Sequence, residues 1–216
     1  TLGIPMLQGY GLSEASPVIS SNCPQRYRFG SSGQVVKPLE LKICDETGTE
    51  VKKGEKGEIV IRGKNVMKGY WKNEKSTAGT IRDGWLYTGD MAMQDEDGFY
   101  FLVDRKKDVI VSGGENIYPV QIEDFMRRHD KIKDVAVIGL PDRRLGEKTA
   151  AIIEVKDGMS CTEEEIEEFC MELPRYKRPK EIIFSEIPRN ATGKIEKPKL
   201  RKMYGADRLV AQENQA

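Results

Sequence analysis

Residues 104–123 read DRKKDVIVSGGENIYPVQIE, and the character of the chain changes across them. The segment opens on a charged cluster, Asp104-Arg105-Lys106-Lys107-Asp108. It passes two adjacent glycines, Gly113 and Gly114, and leads into Pro119 followed by Ile122, Phe125 and Met126. Proline in a first turn, with apolar residues at i, i+3 and i+4, predicts a helix over residues 119–129. Upstream the pattern is strand-like. Residues 39–44, 57–62 and 98–103 are short runs rich in Ile, Val, Leu and aromatics. Asp45-Glu46-Thr47-Gly48, residues 53–57 and Asp95-Glu96-Asp97-Gly98 punctuate them, and acidic or glycine-containing turns between such runs predict hairpins. Glu58-Ile59-Val60-Ile61-Arg62 has a fully apolar middle, as a strand buried on both faces requires.

Downstream, helical and strand patterns alternate. Residues 135–140 and 149–155 are apolar strands. Thr162-Glu163-Glu164-Glu165 has the capping-box pattern, followed by a stripe of Ile166, Phe169, Cys170 and Leu173 that Pro174 ends. Residues 181–184 form another strand, Pro198 opens a last short helix, and the polar stretch from Ala206 is expected to fray. The fold class is therefore α+β: an antiparallel β-barrel-like subdomain followed by a small α+β domain.

Composition narrows the function. Lys+Arg and Asp+Glu are both 35, so the net charge is zero, which argues against a general polyanion binder. No run of apolar residues is long enough to span a bilayer, so no transmembrane segment is expected, and no charged-then-apolar leader opens the chain. The four cysteines (Cys23, Cys44, Cys161, Cys170) form no CxxC pair, and the single histidine, His129, cannot complete a zinc site with them. They read as reduced thiols in a cytoplasmic protein. The apolar residues 2–7 run straight into a glycine-rich turn, which reads as a piece of something longer.

Four segments could carry chemistry. In Gln8-Gly9-Tyr10-Gly11-Leu12-Ser13-Glu14 the glycines allow close approach of a flat ligand to the Tyr10 ring, Ser13 offers a hydroxyl, and Glu14 a hard oxygen suited to Mg²⁺. It also reads as a turn with an exposed acid. Asp90, in Trp85-Leu86-Tyr87-Thr88-Gly89-Asp90, can accept two hydrogen bonds from a ribose diol or stabilise its own turn. Arg105 offers bidentate donors to phosphate or ribose, and Gly113-Gly114-Glu115 leaves bare backbone for a narrow ligand chain; a charged linker and a loop are the alternative. Pro188-Arg189-Asn190-Ala191-Thr192-Gly193-Lys194-Ile195 presents a lysine on a turn, as a solvated residue or a cation delivered to a site. It is no P-loop, because Ile195 follows the lysine.

Together QGYGLSE, GEIVIRG, GWLYTGD, DRKKDVIVSGGENIYPVQIE and PRNATGKI, with Gly139-Leu140-Pro141-Asp142 and Gly146-Glu147, resemble the adenylate-forming (ANL) superfamily of acyl-CoA synthetases, peptide-synthetase adenylation domains and beetle luciferases. The resemblance covers residues 2–203, points to the AMP-forming acyl-CoA synthetase branch, and marks the chain as a C-terminal fragment. It implies that a carboxylate attacks the α-phosphate of ATP to give an acyl-adenylate, and that CoA then displaces AMP. Carried over by position, Gly9, Tyr10, Gly11, Ser13, Asp90 and Arg105 would bind nucleotide, with Tyr10 against adenine, Ser13 at phosphate and Asp90 at ribose. Ser13 stands where the family more often has Thr. Glu14 would hold Mg²⁺, and Lys194 would bridge α-phosphate and substrate carboxylate. These three, Lys194, Glu14 and Ser13, would be the catalytic set. Gly113, Gly114 and Glu115 would meet CoA, and Lys107 would be the hinge.

The implied domains are 1–28, the end of a large α/β subdomain with the nucleotide-binding turn; 29–104, the barrel-like subdomain; 105–205, a mobile C-terminal domain; and 206–216, a frayed tail. The family's Ser/Thr/Gly-rich phosphate loop ending in lysine is absent from these residues, so the fragment alone is expected to be inactive. The implied function is an ATP-dependent ligase with a small-molecule carboxylic acid, a fatty acid first, as substrate, and ATP and CoA as co-substrates. Alternatives are an adenylation domain loading a carrier protein, a non-catalytic interaction module, and a nucleic-acid binder motivated by the basic run 174–202. Neutral net charge and the lack of a reader motif argue against nucleic acid. The oligomeric state is left open.

Overall fold

The computed structural model describes the backbone of residues 6–213 and side chains as far as Gly205. The expected apolar stretch 2–7 lies largely outside the described residues; Met6 and Leu7 are exposed and in no strand. The chain divides into two compact units, Thr1–Lys106 and Lys107–Ala216.

The first unit holds two antiparallel sheets. β1 (Gly9–Gly11), β2 (Val18–Ser21) and β3 (Gln34–Val35) form one, in that order. The other contains β4 (Glu40–Cys44), β5 (Lys56–Arg62), β6 (Ile81–Arg82), β7 (Trp85–Gln94) and β8 (Tyr100–Arg105). β5 lies between β4 and β7; β7 pairs β6 near Trp85 and β8 from Asp90 onward. Central placement explains the apolar middle of β5: Ile59, Val60 and Ile61 are buried, and Lys56 and Arg62 at its ends reach solvent. The barrel-like expectation takes the form of these open sheets; among the described residues none closes on itself. The acidic turns act as read. Asp45 Oδ1 accepts from the amides of Thr47 and Thr49, and Gly48 takes the positive φ of 86° that the turn needs. A short helix α1 (Glu74–Thr80), capped by Asn73 through the Ser76 amide, has no apolar stripe and was not legible in the sequence.

In the second unit β9 (Ile110–Ser112) and β10 (Glu115–Ile117) form a hairpin where the sequence reads as loop. Gly113 and Gly114, at φ of 59° and 86°, supply the two left-handed residues of a tight turn. α2 (Pro119–Met126) follows, then the long hairpin β11 (Ile132–Asp142) and β12 (Gly146–Val155), α3 (Glu163–Phe169), β13 (Glu181–Phe184) and α4 (Lys197–Glu213). Strand order is β10-β9-β12-β11, with β13 parallel to β12. Both faces of the β11–β12 hairpin are covered. Val135, Val137, Ala151 and Ile153 pack with Ile122 and Met126 of α2 and Ile166 of α3. The alternate residues Ala136, Ile138, Leu140, Ala150 and Ile152 pack with Ile187 and with Leu200 of α4. Two-sided burial is why these strands read as continuous apolar runs.

Two expectations change. α2 stops at Met126, not His129, and tight turn bonds from Arg128 to Phe125 and from His129 to Met126 take the chain into β11. The last helix is not short and does not stop before Ala206: its backbone runs to Glu213, through a segment of good helix formers such as Ala206, Leu209, Ala211 and Gln212.

The capping box of α3 is complete: Thr162 Oγ1 accepts from the Glu165 amide, and the Glu165 carboxylate accepts from the Thr162 amide and from Lys131. The Lys131 ammonium, then the Thr162 amide, hold the Glu165 carboxyl down at about 2. Its folded pKa lies below the ordinary value of 4.5, so its contribution to stability is present above that value and is lost as pH falls toward 2. Thr162→Ala is expected to cost about 1 kcal/mol in denaturant unfolding. All four cysteines are free, and His129 stacks edge-on against Phe169 at 4.9 Å.

Candidate functional site

The glycine-rich turn builds the first part of the site. Gly9-Tyr10-Gly11 is β1, paired to β2. A Cβ at Gly11 would fall 1.9 Å from the Pro17 carbonyl oxygen, so glycine is required there by close approach of the returning backbone. Tyr10 packs its ring on the core of the first unit and donates its hydroxyl to Asp90 Oδ2 at 2.6 Å. Asp90 lies in β7 opposite Arg105 of β8, and its Oδ1 stands 3.6 Å from Arg105 Nε. Three expected nucleotide contacts, from positions 10, 90 and 105, thus meet at one carboxylate. Asp90 is 16% exposed and Arg105 59% exposed, so the carboxylate is partly shielded and the guanidinium stays open to solvent.

Burial, and then the bond to Asp90, push the Tyr10 phenol far above its ordinary range. Because folding raises this pKa, the stability it contributes is complete below about pH 10 and is lost as pH rises through the higher folded value. Tyr10→Phe is expected to cost about 1 kcal/mol at neutral pH and to flatten the alkaline fall in stability, as followed by urea unfolding at several pH values.

Ser13 and Glu14 follow β1 in a single 3₁₀ turn, Ser13–Ala15. The Ser13 hydroxyl is exposed. The Glu14 carbonyl accepts from the Met67 amide at 2.8 Å, and Oε1 of its carboxylate accepts from the Tyr70 hydroxyl at 2.9 Å. Tyr70 was not singled out in the sequence; an aromatic in a lysine-rich loop gives no signal that it reaches an acid 56 residues away. Among the described residues no three acidic, His or Cys side chains gather to hold a metal. The donor set at Glu14 is one carboxylate, with Oε1 already bonded by Tyr70; a lone carboxylate suits Mg²⁺, an ion that takes one or two carboxylates and completes its shell with phosphates and water.

Lys194 stands on a tight turn in the second unit. Asn190 Oδ1 accepts from the Thr192 amide at 3.0 Å, the Lys194 amide at 2.9 Å and Thr192 Oγ1 at 2.8 Å, while Gly193 takes a φ of 80°. Arg189 braces the turn, donating to the Gly193 carbonyl at 2.7 Å and pairing with Asp134. The Lys194 side chain is exposed, and its ammonium has no protein partner among the described residues. The base of the turn is anchored by Lys197, whose ammonium lies 2.7 Å from Glu123 Oε1, both side chains being largely buried. Half of the ten Lys and Arg in residues 174–202 are tied down: Lys177, Arg178, Arg189, Lys197 and Arg201 all engage groups of their own unit.

Gly113 and Gly114 form the β9–β10 turn and Glu115 opens β10; the Gly113 amide donates to the Leu145 carbonyl at 2.8 Å, and all three residues are exposed. Lys107 is exposed between two pinned neighbours. Lys106 pairs with Glu58 at 2.8 Å, and Asp108 pairs with Arg201 at 2.8 Å. At the β11–β12 corner Asp142 caps the amides of Arg144 and Leu145, and Glu147 Oε2 accepts from the Val111 amide at 2.9 Å.

The profile of the family described as AMP-binding enzyme matches residues 1–71, and that of the AMP-binding enzyme C-terminal domain matches residues 121–194. The putative acyl-CoA synthetase YngI of Bacillus subtilis (strain 168) is 44% identical over 89% of this chain and 36% of its own length. The 2-succinylbenzoate–CoA ligase of Geobacillus sp. (strain WCH70) is 40% identical over 93% of this chain and 42% of its own length. Among solved structures, ATP-bound MatB from Rhodopseudomonas palustris superposes with a TM-score of 0.86 at 33% identity, over 94% of this chain and 41% of that one. The anthranilate CoA ligase AuaEII in complex with anthranoyl-AMP gives a TM-score of 0.86 at 35% identity, over 96% of this chain and 41% of that one. The chain thus spans about two fifths of the length of such relatives. No helix among the described residues is long and apolar enough to cross a membrane. With both profiles in family order, and relatives that are CoA ligases, the chain belongs to the AMP-binding enzyme family and carries that family's C-terminal domain.

Proposed function

We propose that this chain is the nucleotide-contacting and lid-bearing part of an AMP-forming acid–thiol ligase. In the first step a carboxylate oxygen attacks the α-phosphorus of ATP and pyrophosphate leaves. In the second the sulfur of CoA attacks the acyl carbon, the thiol proton is lost to solvent, and AMP leaves. The observation that carries the reading is the meeting of Tyr10, Asp90 and Arg105, which arrive from three strands to present a ring, an oriented carboxylate and an open guanidinium together.

In this reading the Asp90 carboxylate accepts the ribose hydroxyls, Arg105 offers donors to ribose or phosphate, and the Tyr10 ring flanks adenine. Ser13 donates to phosphate. A magnesium ion on Glu14 would neutralise phosphate charge as it develops. Lys194 brings a cation to the α-phosphate and carboxylate in the first step only. Lys107 is the pivot that then withdraws it and presents Gly113, Gly114 and Glu115 to CoA, since a few backbone torsions suffice for such a change. The exposed Lys194 side chain on a braced turn supports this role.

Fatty acids are the proposed substrates. Identity of 42% to a long-chain-fatty-acid–CoA ligase of Bacillus subtilis (strain 168) supports them. Acid-dependent ATP–pyrophosphate exchange by the whole protein, across fatty and aryl acids and followed by CoA-dependent AMP release, tests the reading. Exchange with fatty acids and transfer to CoA are expected. No exchange with any acid, or transfer only to a carrier-protein thiol, overturns it. These 216 residues alone are expected to show no exchange, because the phosphate-gripping loop is not among them.

A further inference from the structure

Between β5 and β7 the register breaks. Glu58 faces Met91 and Val60 faces Tyr87, so the single residue Ile59 spans Thr88, Gly89 and Asp90. A bulge of this kind strips backbone groups of their ladder partners. Here side chains replace them. Thr88 Oγ1 donates to the Ile59 carbonyl at 2.8 Å and accepts from the Asp90 amide at 3.2 Å. The Gly89 amide, at a residue with φ of 73°, donates to Glu58 Oε1 at 3.0 Å. The other oxygen, Glu58 Oε2, accepts from Lys106 Nζ at 2.8 Å. Glu58 is only 6% exposed, and a carboxylate is retained in a strand whose next three residues are all apolar.

We infer that Glu58 is a positioning residue for the nucleotide site. One oxygen holds the bulge that aims Asp90, and the other holds Lys106 and so the strand end that carries Arg105. This rests on the nucleotide reading above. Glu58 bonds the Gly89 amide and the Lys106 ammonium, and it acts through them. A purely local role, satisfying one buried amide, is the competing account.

The test uses AMP as probe and compares the wild type, Glu58→Gln, Glu58→Ala, Asp90→Ala and the Glu58→Ala/Asp90→Ala double variant by calorimetry. A second readout follows the ¹³Cζ signal of Tyr10 through an alkaline titration without nucleotide, with Asp90 and Arg105 as the charged groups facing it. Glu58→Ala is expected to weaken AMP binding about tenfold. Glu58→Gln keeps an acceptor for Gly89 and is expected to cost about threefold. On the Asp90→Ala background Glu58→Ala is expected to cost about threefold rather than tenfold, because the part of its effect that runs through that carboxylate is already gone and only the Lys106 arm remains. In Glu58→Ala the Tyr10 signal is expected to titrate nearer the ordinary phenol range, as in Asp90→Ala. If Glu58→Ala does not fold, Glu58→Gln and Lys106→Met are read by the same two measurements. A full additional loss of affinity in the double variant, or a Tyr10 titration unchanged while only thermal stability falls, overturns the inference. If Asp90→Ala leaves AMP affinity intact the nucleotide reading fails instead, and the Tyr10 titration still decides whether Glu58 aims Asp90.

Discussion

Lys194→Ala is expected to slow adenylate formation about 10²–10³-fold, the cost of removing one fixed charge from a transition state that gathers negative charge on phosphorus oxygens. The second step, started from preformed acyl-adenylate and CoA, is expected to stay within about threefold of wild type, because the ammonium is proposed to act before the pivot. Stability is expected to change by less than about 0.5 kcal/mol, since the side chain is exposed, with no partner among the described residues, and the turn is built by Asn190, Gly193 and Arg189. Pyrophosphate exchange, single-turnover thioester formation and thermal unfolding measure the three. Equal losses in both steps would remove Lys194 from its proposed role in the first step alone.

The largest expected effect on stability lies beneath that turn. Glu123 accepts from the Val137 amide at 2.8 Å and from the Lys197 ammonium at 2.7 Å, with the two side chains 5% and 12% exposed. Glu123→Ala leaves a buried ammonium and a buried amide without partners, and is expected to destabilise the second unit by about 3–5 kcal/mol. Removing both partners in Glu123→Gln/Lys197→Met is expected to recover part of that loss, because no isolated charge stays buried. Trp71 and Trp85 both lie in the first unit, so tryptophan fluorescence reports there, and amide exchange at Val137 reports on the second. A Val137 exchange rate unchanged in Glu123→Ala would mean that the pair contributes nothing.

Much of the local structure was legible because its causes are local. The Thr162–Glu165 box and the Asp45 and Asp95 turns rest on side-chain chemistry within a few residues. The apolar runs 135–140 and 149–155 were legible as strands, while their two-sided burial shows only once α2, α3 and α4 are in place. α1 and the β9–β10 hairpin escaped notice, one for want of an apolar stripe and the other because paired glycines serve a loop and a two-residue turn equally well. Tyr70 and Glu58 carry no mark of their own; each matters through a partner distant in the chain.

The residue order alone was enough to place the longer apolar strands, α2 and α3 and the acidic turns, and to set the motifs in the order of a known family, because periodicity and capping act over a few residues. It could not say that Tyr10 and Asp90 share a proton donor and acceptor 80 positions apart, or that Glu58 reaches Gly89 and Lys106. Those meetings depend on strand register and on a bulge between β5 and β7. Pairing across long sequence separations is settled by burial and backbone hydrogen bonding of the whole unit, so only the folded chain shows which side chains end up at one carboxylate.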